Sequence, residues 1–252
     1  MSPGRAGAPS GVEEEAVHFG SGGERLFGIL SHPAAEPRGV AVVFLQGAGY
    51  VPSFNHNRLW VTLSRRLGTE GFHAFRFDYR GVGESTGTAA RVRLDRPVPD
   101  DLLAAVGCVR RVGVERFVLV GSCFGALTAL AASATPGVVS EVLLAPPVLL
   151  PPARPRAARG ATAAAAVNPR LLEGVRDAVG RLPLLLLYGR DDPYYADFSA
   201  TRPLDPLLGA GSRLRLEVVP GQIRGLASLA TQRAVAELVC GWLPAGAPRP
   251  RS

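Results

Sequence analysis

Cys123 stands between two glycines in Gly121-Ser122-Cys123-Phe124-Gly125, where the apolar run RFVLV ends and the alanine- and leucine-rich stretch ALTALAAS begins. A strand that turns sharply into a helix exposes the residue in the turn, and flanking glycines let the backbone close tightly around it. Such a turn serves a nucleophile. The helix N-terminus favours negative charge on an atom placed there, which suits a thiolate. The N–H of Phe124, the next residue, is expected to form half of a site for a developing oxyanion. Serine is the usual residue in this turn, but here Ser122 falls one position early and Cys123 takes the place. The bland alternative is an inert thiol in a degenerate turn.

A nucleophile of this kind needs a base, and histidine is scarce. His18 and His32 fall on a leading hairpin and His73 within the strand pattern GFHAFRFD, so all three read as structural. His56, in YVPSFNHNRLW, follows an apolar strand and is the one histidine in a loop that could face a pocket. It is the candidate replacement base.

The elements that must position these residues are legible from periodicity. Apolar or alternating runs bounded by glycine and proline predict strands near 15–20, 25–32, 39–45, 72–78, 116–121, 139–145, 183–188 and 213–219. Helical patterns fit 57–70, 100–113, 123–135, 196–209 and 225–243. The middle strands are apolar throughout, as strands covered on both faces must be. Strand–helix alternation after one leading hairpin predicts a mostly parallel, doubly wound α/β sheet of about eight strands. Residues 1–12 and 244–252 read as flexible termini, and 13–145 with 183–243 as the core. Residues 146–182 break the rhythm, with clustered prolines and then six arginines (154, 156, 159, 170, 176 and 181) against Glu173 and Asp177. They predict a short basic cap. Its basic character suits a solvated surface helix, or a guard over an anionic substrate or an acidic acyl carrier protein.

Over roughly residues 15–243 the chain resembles the α/β-hydrolase superfamily. NRLWVTLSRRLGTEGFHAFRFDYRGVGES (57–85) is similar to the helix–strand–loop of bacterial members reading R-F-D-x-R-G-x-G-x-S, and LLLLYGRDDPYY (184–195) to the strand that delivers the catalytic acid. A subgroup found beside polysaccharide-export and specialised-metabolism genes also reads G-x-C-x-G-A at the elbow. The resemblance implies Cys123 as nucleophile, Asp192 rather than Asp191 as orienting acid, and an oxyanion site built from Phe124 and the segment Gln46-Gly47-Ala48. It also implies a histidine in LEVVPGQIRGLASL (216–229), where the family pattern is G-x-x-H-x-F. Here that pattern reads Gly221-Gln222-Ile223-Arg224-Gly225-Leu226. Arginine cannot serve as a general base near neutral pH. Arg224 could instead hold a carboxylate or an enolate, with Gln222 as a neighbouring contact.

The loss of that imidazole shapes the functional expectation. The leading reading is an enzyme of bacterial specialised, polyketide-like metabolism acting on an ester, thioester or lactone without hydrolysis. Acyloxy elimination or cyclisation through an enolate needs an anion-stabilising pocket, supplied by Gln46, Arg224 and the Phe124 amide, and a proton acceptor, Asp192 or His56. Two alternatives stand beside it: acyl transfer or slow hydrolysis through a Cys123 acyl-enzyme, and a catalytically inactive binding protein.

Composition bounds the rest. The 28 basic residues include no lysine, and with 30 glycines and 22 prolines they read as actinobacteria-like, GC-rich codon bias. The net charge of +7 is spread along the chain with no aromatic–basic interleaving, so no nucleic-acid partner is expected. Three cysteines and no signal-like N-terminus suggest a cytoplasmic chain without a disulfide framework. No membrane span, metal site or cofactor motif is expected; the expected partner is a small ester-like, anionic molecule.

Overall fold

The computed structural model describes residues 11–47, 56–89, 93–150, 166–209, 211–224 and 228–243. The leading hairpin forms from β1 (Glu14–Ser21) and β2 (Glu24–Ser31), turned by Gly22 and Gly23, both at positive φ. The chain then alternates: β3 (Val40–Leu45), α1 (Leu59–Thr69), β4 (His73–Phe77), α2 (Pro99–Arg110), β5 (Arg116–Ser122), α3 (Phe124–Ala131) and β6 (Val138–Leu144). After two short strands, β7 (Leu149–Leu150) and β8 (Ala166–Val167), come α4 (Pro169–Val179), β9 (Leu184–Gly189), α5 (Pro193–Thr201), β10 (Leu214–Val219) and α6 (Leu229–Trp242).

Eight strands make one sheet in the order β1-β2-β4-β3-β5-β6-β9-β10. It is antiparallel only from β1 to β4 and parallel thereafter. The expected fold class is the observed one. Every residue of β3 and β9 is buried, because helices cover both faces of the sheet. On one face α1 meets α6, where Arg66 pairs with Glu237 at 2.7 Å and the indole of Trp242 donates to Ser140 on β6 at 2.8 Å. On the other face α3 is flanked by α2 and α4.

Register brings the functional ends together. Leu45 lies opposite Gly121, Ser122 opposite Leu144, and Gly189 opposite Val219, so the carboxyl ends of β3, β5, β6, β9 and β10 share one edge. In open α/β sheets that edge is where ligands bind.

Two expectations need correction. The second half of the 146–182 segment is not a cap: residues 169–179 form α4, a crossover helix packed on α3. Leu171, Val175 and Ala178 recur at helical spacing and are buried, and Gly174 lies so near Leu130 that a Cβ there would sit 2.9 Å from its Cβ. Asn168 starts this helix by accepting from the Arg170 N–H at 3.0 Å, with Pro169 in the first turn. Residues 151–165, with three of the segment's six arginines, lie outside the described residues. The helix expected over 196–209 begins instead at Pro193 and ends at Thr201, because Arg202 takes a left-handed φ of 45°.

Candidate active site

The elbow is built as its sequence demands. Cys123 adopts φ 52° and ψ −112°, a sparsely populated conformation for a residue with a side chain, and the thiol is half-buried. The glycines are obligatory for packing. A Cβ on Gly121 would sit 2.4 Å from the Gly125 carbonyl oxygen, and one on Gly125 2.5 Å from those of Leu45 and Gln46. The Cys123 N–H is tied to the Leu144 carbonyl at 2.8 Å, which locks the turn to β6. Phe124 opens α3, so its N–H has no intrahelical acceptor and stands at the positive end of the helix.

The segment after β3 abuts this turn: a Cβ on Gly47 would lie 3.4 Å from that of Cys123. The Gln46 side chain is buried, its Nε2 donates to the Phe77 carbonyl, and its Oε1 accepts from the Trp60 indole at 3.2 Å. Gln46 therefore fastens the end of β3 to β4 and α1, with one N–H and one lone pair of its carboxamide engaged. Ala48 lies outside the described residues, as does the side chain of His56. The backbone at His56 opens a 3₁₀ turn in which Asn57 and Arg58 both take left-handed φ.

Asp192 occupies the N-cap position of α5 but makes no side-chain cap bond there. It is 1% exposed, and its carboxylate turns into the loop instead. Oδ2 accepts from the N–H groups of Gly189 at 2.8 Å and Ile223 at 3.1 Å; Oδ1 accepts from the N–H of Arg224 at 3.1 Å. The expected proton acceptor is thus a loop anchor. Both oxygens are engaged by backbone N–H groups. Gln222 is exposed, and its Nε2 donates to the Asp191 carbonyl at 3.0 Å. Together these bonds fix the backbone of the loop between β10 and α6 at Arg224.

Arg224 holds that position. Its guanidinium lies over the ring of Tyr194, 5.2 Å from the centroid. Tyr194 is also near enough to Cys123 to be influenced electrostatically by it. Burial first, and then the charge on Cys123, push the Tyr194 phenol up to about 12, with Arg224 pulling the other way. Tyr194 is therefore a hydrogen-bond donor at neutral pH, not a base. The sequence reading left Tyr194 without a role. The only local signal is its place two residues after Asp192, in the first turn of α5.

Other groups lie apart from this cluster. The hairpin-side histidines are remote from it: His32 pairs with Glu15 at 3.0 Å, and burial lowers His73, which stacks edge-on against His32. Arg80, in the loop after β4, reaches across to buried Asp101 at 2.6 Å, and Asp101 also accepts from Ser21 at 2.7 Å. Burial alone would raise the Asp101 carboxyl, but the Arg80 bonds hold it low. A groove of about 660 Å³ runs between α3 and α4, where Arg96, Arg170 and Arg181 alternate with Asp95, Glu173 and Asp177. Among the described residues no cluster of His, Cys, Asp and Glu converges as a metal site, and no helix is long and apolar enough to cross a membrane.

The comparisons agree with this architecture. No curated protein matches the sequence. Similar solved structures include an α/β serine hydrolase homologue from Coxiella burnetii (TM-score 0.64, 18% identity, 91% of this chain and 97% of that one). Another is a lidless α/β serine hydrolase from Xanthomonas campestris (TM-score 0.61, 21% identity, 93% and 97%). An esterase from Pyrococcus furiosus matches with TM-score 0.63 and 21% identity over 96% and 99%. At these identities the likeness is one of fold. The sequence itself matches the alpha/beta hydrolase family over residues 42–249, and with the elbow and the acid-bearing turn both formed at one sheet edge, the chain belongs to that family.

Proposed function

We propose that this α/β-hydrolase-fold enzyme transfers acyl groups through a thioester on Cys123. The observation that carries this reading is the elbow itself. Cys123 is held at φ 52° and ψ −112°, at a cost of order 1–3 kcal/mol, and a strained turn between strand and helix is the geometry that presents a nucleophile to a carbonyl. A protein that only bound ligand would have no use for it. Elimination through an enolate, the leading expectation from sequence, was to use Asp192 or His56 as proton acceptor. With Asp192 buried and engaged by three backbone N–H groups, that route rests on His56 alone.

The thiolate of Cys123 attacks the carbonyl carbon, and the Phe124 N–H receives the developing oxyanion. Arg224 and Tyr194 lie beside the attacking sulfur, with the guanidinium stacked on the phenol ring. The Cys123–acyl bond forms as the bond to the leaving group breaks. No imidazolium stands at the position of Arg224 to protonate an alkoxide, so leaving groups that depart as stable anions are favoured, thiolates above all. The same lack disfavours water in the second step and favours an amine or thiol acceptor, which arrives as its own nucleophile.

Intact-protein mass after incubation with short-chain thioesters tests this reading. A stable acyl adduct on the wild type, absent in Cys123→Ala, is the expected result. Turnover of thioester or ester by Cys123→Ala at the wild-type rate overturns it.

A further inference from the structure

Arg224 carries a charge that the fold leaves unneutralised. Among the described residues no carboxylate forms an ion pair with it, and what sets it apart from other unpaired arginines is its stacking on Tyr194 beside the elbow. Its nearest carboxylate partner by sequence logic, Asp192, takes only its backbone N–H. The side chain is exposed yet held in place: its backbone is pinned by Asp192, and its guanidinium rests on the Tyr194 ring, which lies beside Cys123. A guanidinium stacked on an aromatic face keeps its N–H edges free for a planar, bidentate anion.

Resting on the acyl-transfer reading, we infer that Arg224, supported by Tyr194, receives a carboxylate on the substrate, so that the acyl group is that of a dicarboxylic acid monothioester. The second carboxylate lies on Arg224 while the thioester carbonyl meets Cys123 and the Phe124 N–H. The chemistry at the carbonyl is unchanged: the leaving thiolate departs, the acyl–Cys123 bond replaces its bond, and the carboxylate only orients the chain. Binding energy at a remote carboxylate is a means of placing the reacting carbonyl. It would also discriminate sharply, because a neutral acyl chain leaves the arginine unpaired.

A purely electrostatic effect of Arg224 on the thiol would speed all electrophiles alike, so the test is a ratio. Cys123 alkylation is measured by peptide mass with iodoacetate, which carries a carboxylate, and with neutral iodoacetamide, in wild type, Arg224→Gln and Arg224→Lys. The ratio cancels the thiolate fraction. The expected result is a saturable reaction with iodoacetate in the wild type, competed by succinate. Arg224→Gln should lower the iodoacetate-to-iodoacetamide ratio by tenfold or more, and Arg224→Lys should restore it in part. A ratio unchanged in Arg224→Gln, or iodoacetate alkylation that neither saturates nor yields to succinate, overturns the inference. Acyl adducts from succinyl and butyryl thioesters of N-acetylcysteamine separate the two readings. Equal adducts from both reject the carboxylate site and keep the acyl-enzyme. A normal alkylation ratio shift with adducts from neither rejects the acyl-enzyme and keeps the carboxylate site.

Discussion

Three side chains at the elbow divide the work, and each is separable by substitution. Tyr194→Phe removes the hydroxyl that acts electrostatically beside the thiol and keeps the ring under Arg224, so acylation of Cys123 should slow by roughly tenfold with little change in unfolding midpoint. Because the phenol is pushed up to about 12, no fall in wild-type rate from its ionisation is expected between pH 7 and pH 10. A rate profile over that range checks it. Asp192→Asn keeps the shape but leaves a single acceptor oxygen for three N–H groups. It should cost about 1–3 kcal/mol in urea unfolding and misplace Arg224, lowering acylation as well. Cys123 and Asp192 were legible in the sequence because each sits in a short local pattern with its own geometry. Tyr194 was not, since only the tertiary fold brings it beside the thiol. The bonds of Gln46 were hidden for the same reason: nothing local says that its carboxamide meets Phe77 and Trp60.

Among the elements, the β5–α3 turn leaves the least room. Gly121→Ala would place its Cβ 2.4 Å from a backbone oxygen of Gly125, which neither strand nor helix can yield without moving Cys123. A loss of about 1–3 kcal/mol is expected in chemical unfolding, with slower alkylation of Cys123 in the fraction that folds. Strands were read well because burial on two faces writes unbroken apolar runs into the chain. Helix α4 was missed as a core element. Its neighbourhood is rich in proline and arginine, and its buried face is only Leu171, Val175 and Ala178, so its weak pattern suited a cap equally well. What identifies it is contact with α3, which no local window contains.

At the scale of the whole molecule the prominent anomaly is Glu141, fully buried in the middle of the sheet with both carboxylate oxygens lacking a hydrogen bond. Burial raises its carboxyl to about 8, with Arg181 opposing, so it is neutral at pH 7. An unfolded glutamate ionises near pH 4.5, and between those two values the folded state holds the extra proton. Stability is therefore fullest below about pH 4.5 on account of this group and is lost as pH rises to about 8, by up to about 5 kcal/mol. Glu141→Gln should remove that slope: stabilising at pH 9, nearly neutral at pH 5, as read from urea midpoints at both pH values. An equal effect at the two would rule out the titration. The sequence placed Glu141 in the strand VSEVLLA but could not show that helices seal it on that face. By itself the sequence determined the α/β sheet, the elbow around Cys123 and the absence of histidine at position 224, because strand burial, glycine turns and residue identity are local properties. Only the tertiary structure decided that Asp192 anchors a loop, that Tyr194 lies beside Cys123 and under Arg224, and that Glu141 is sealed in the core. Those depend on which segments the sheet brings within a few ångströms of one another, and no spacing along the chain encodes such distances.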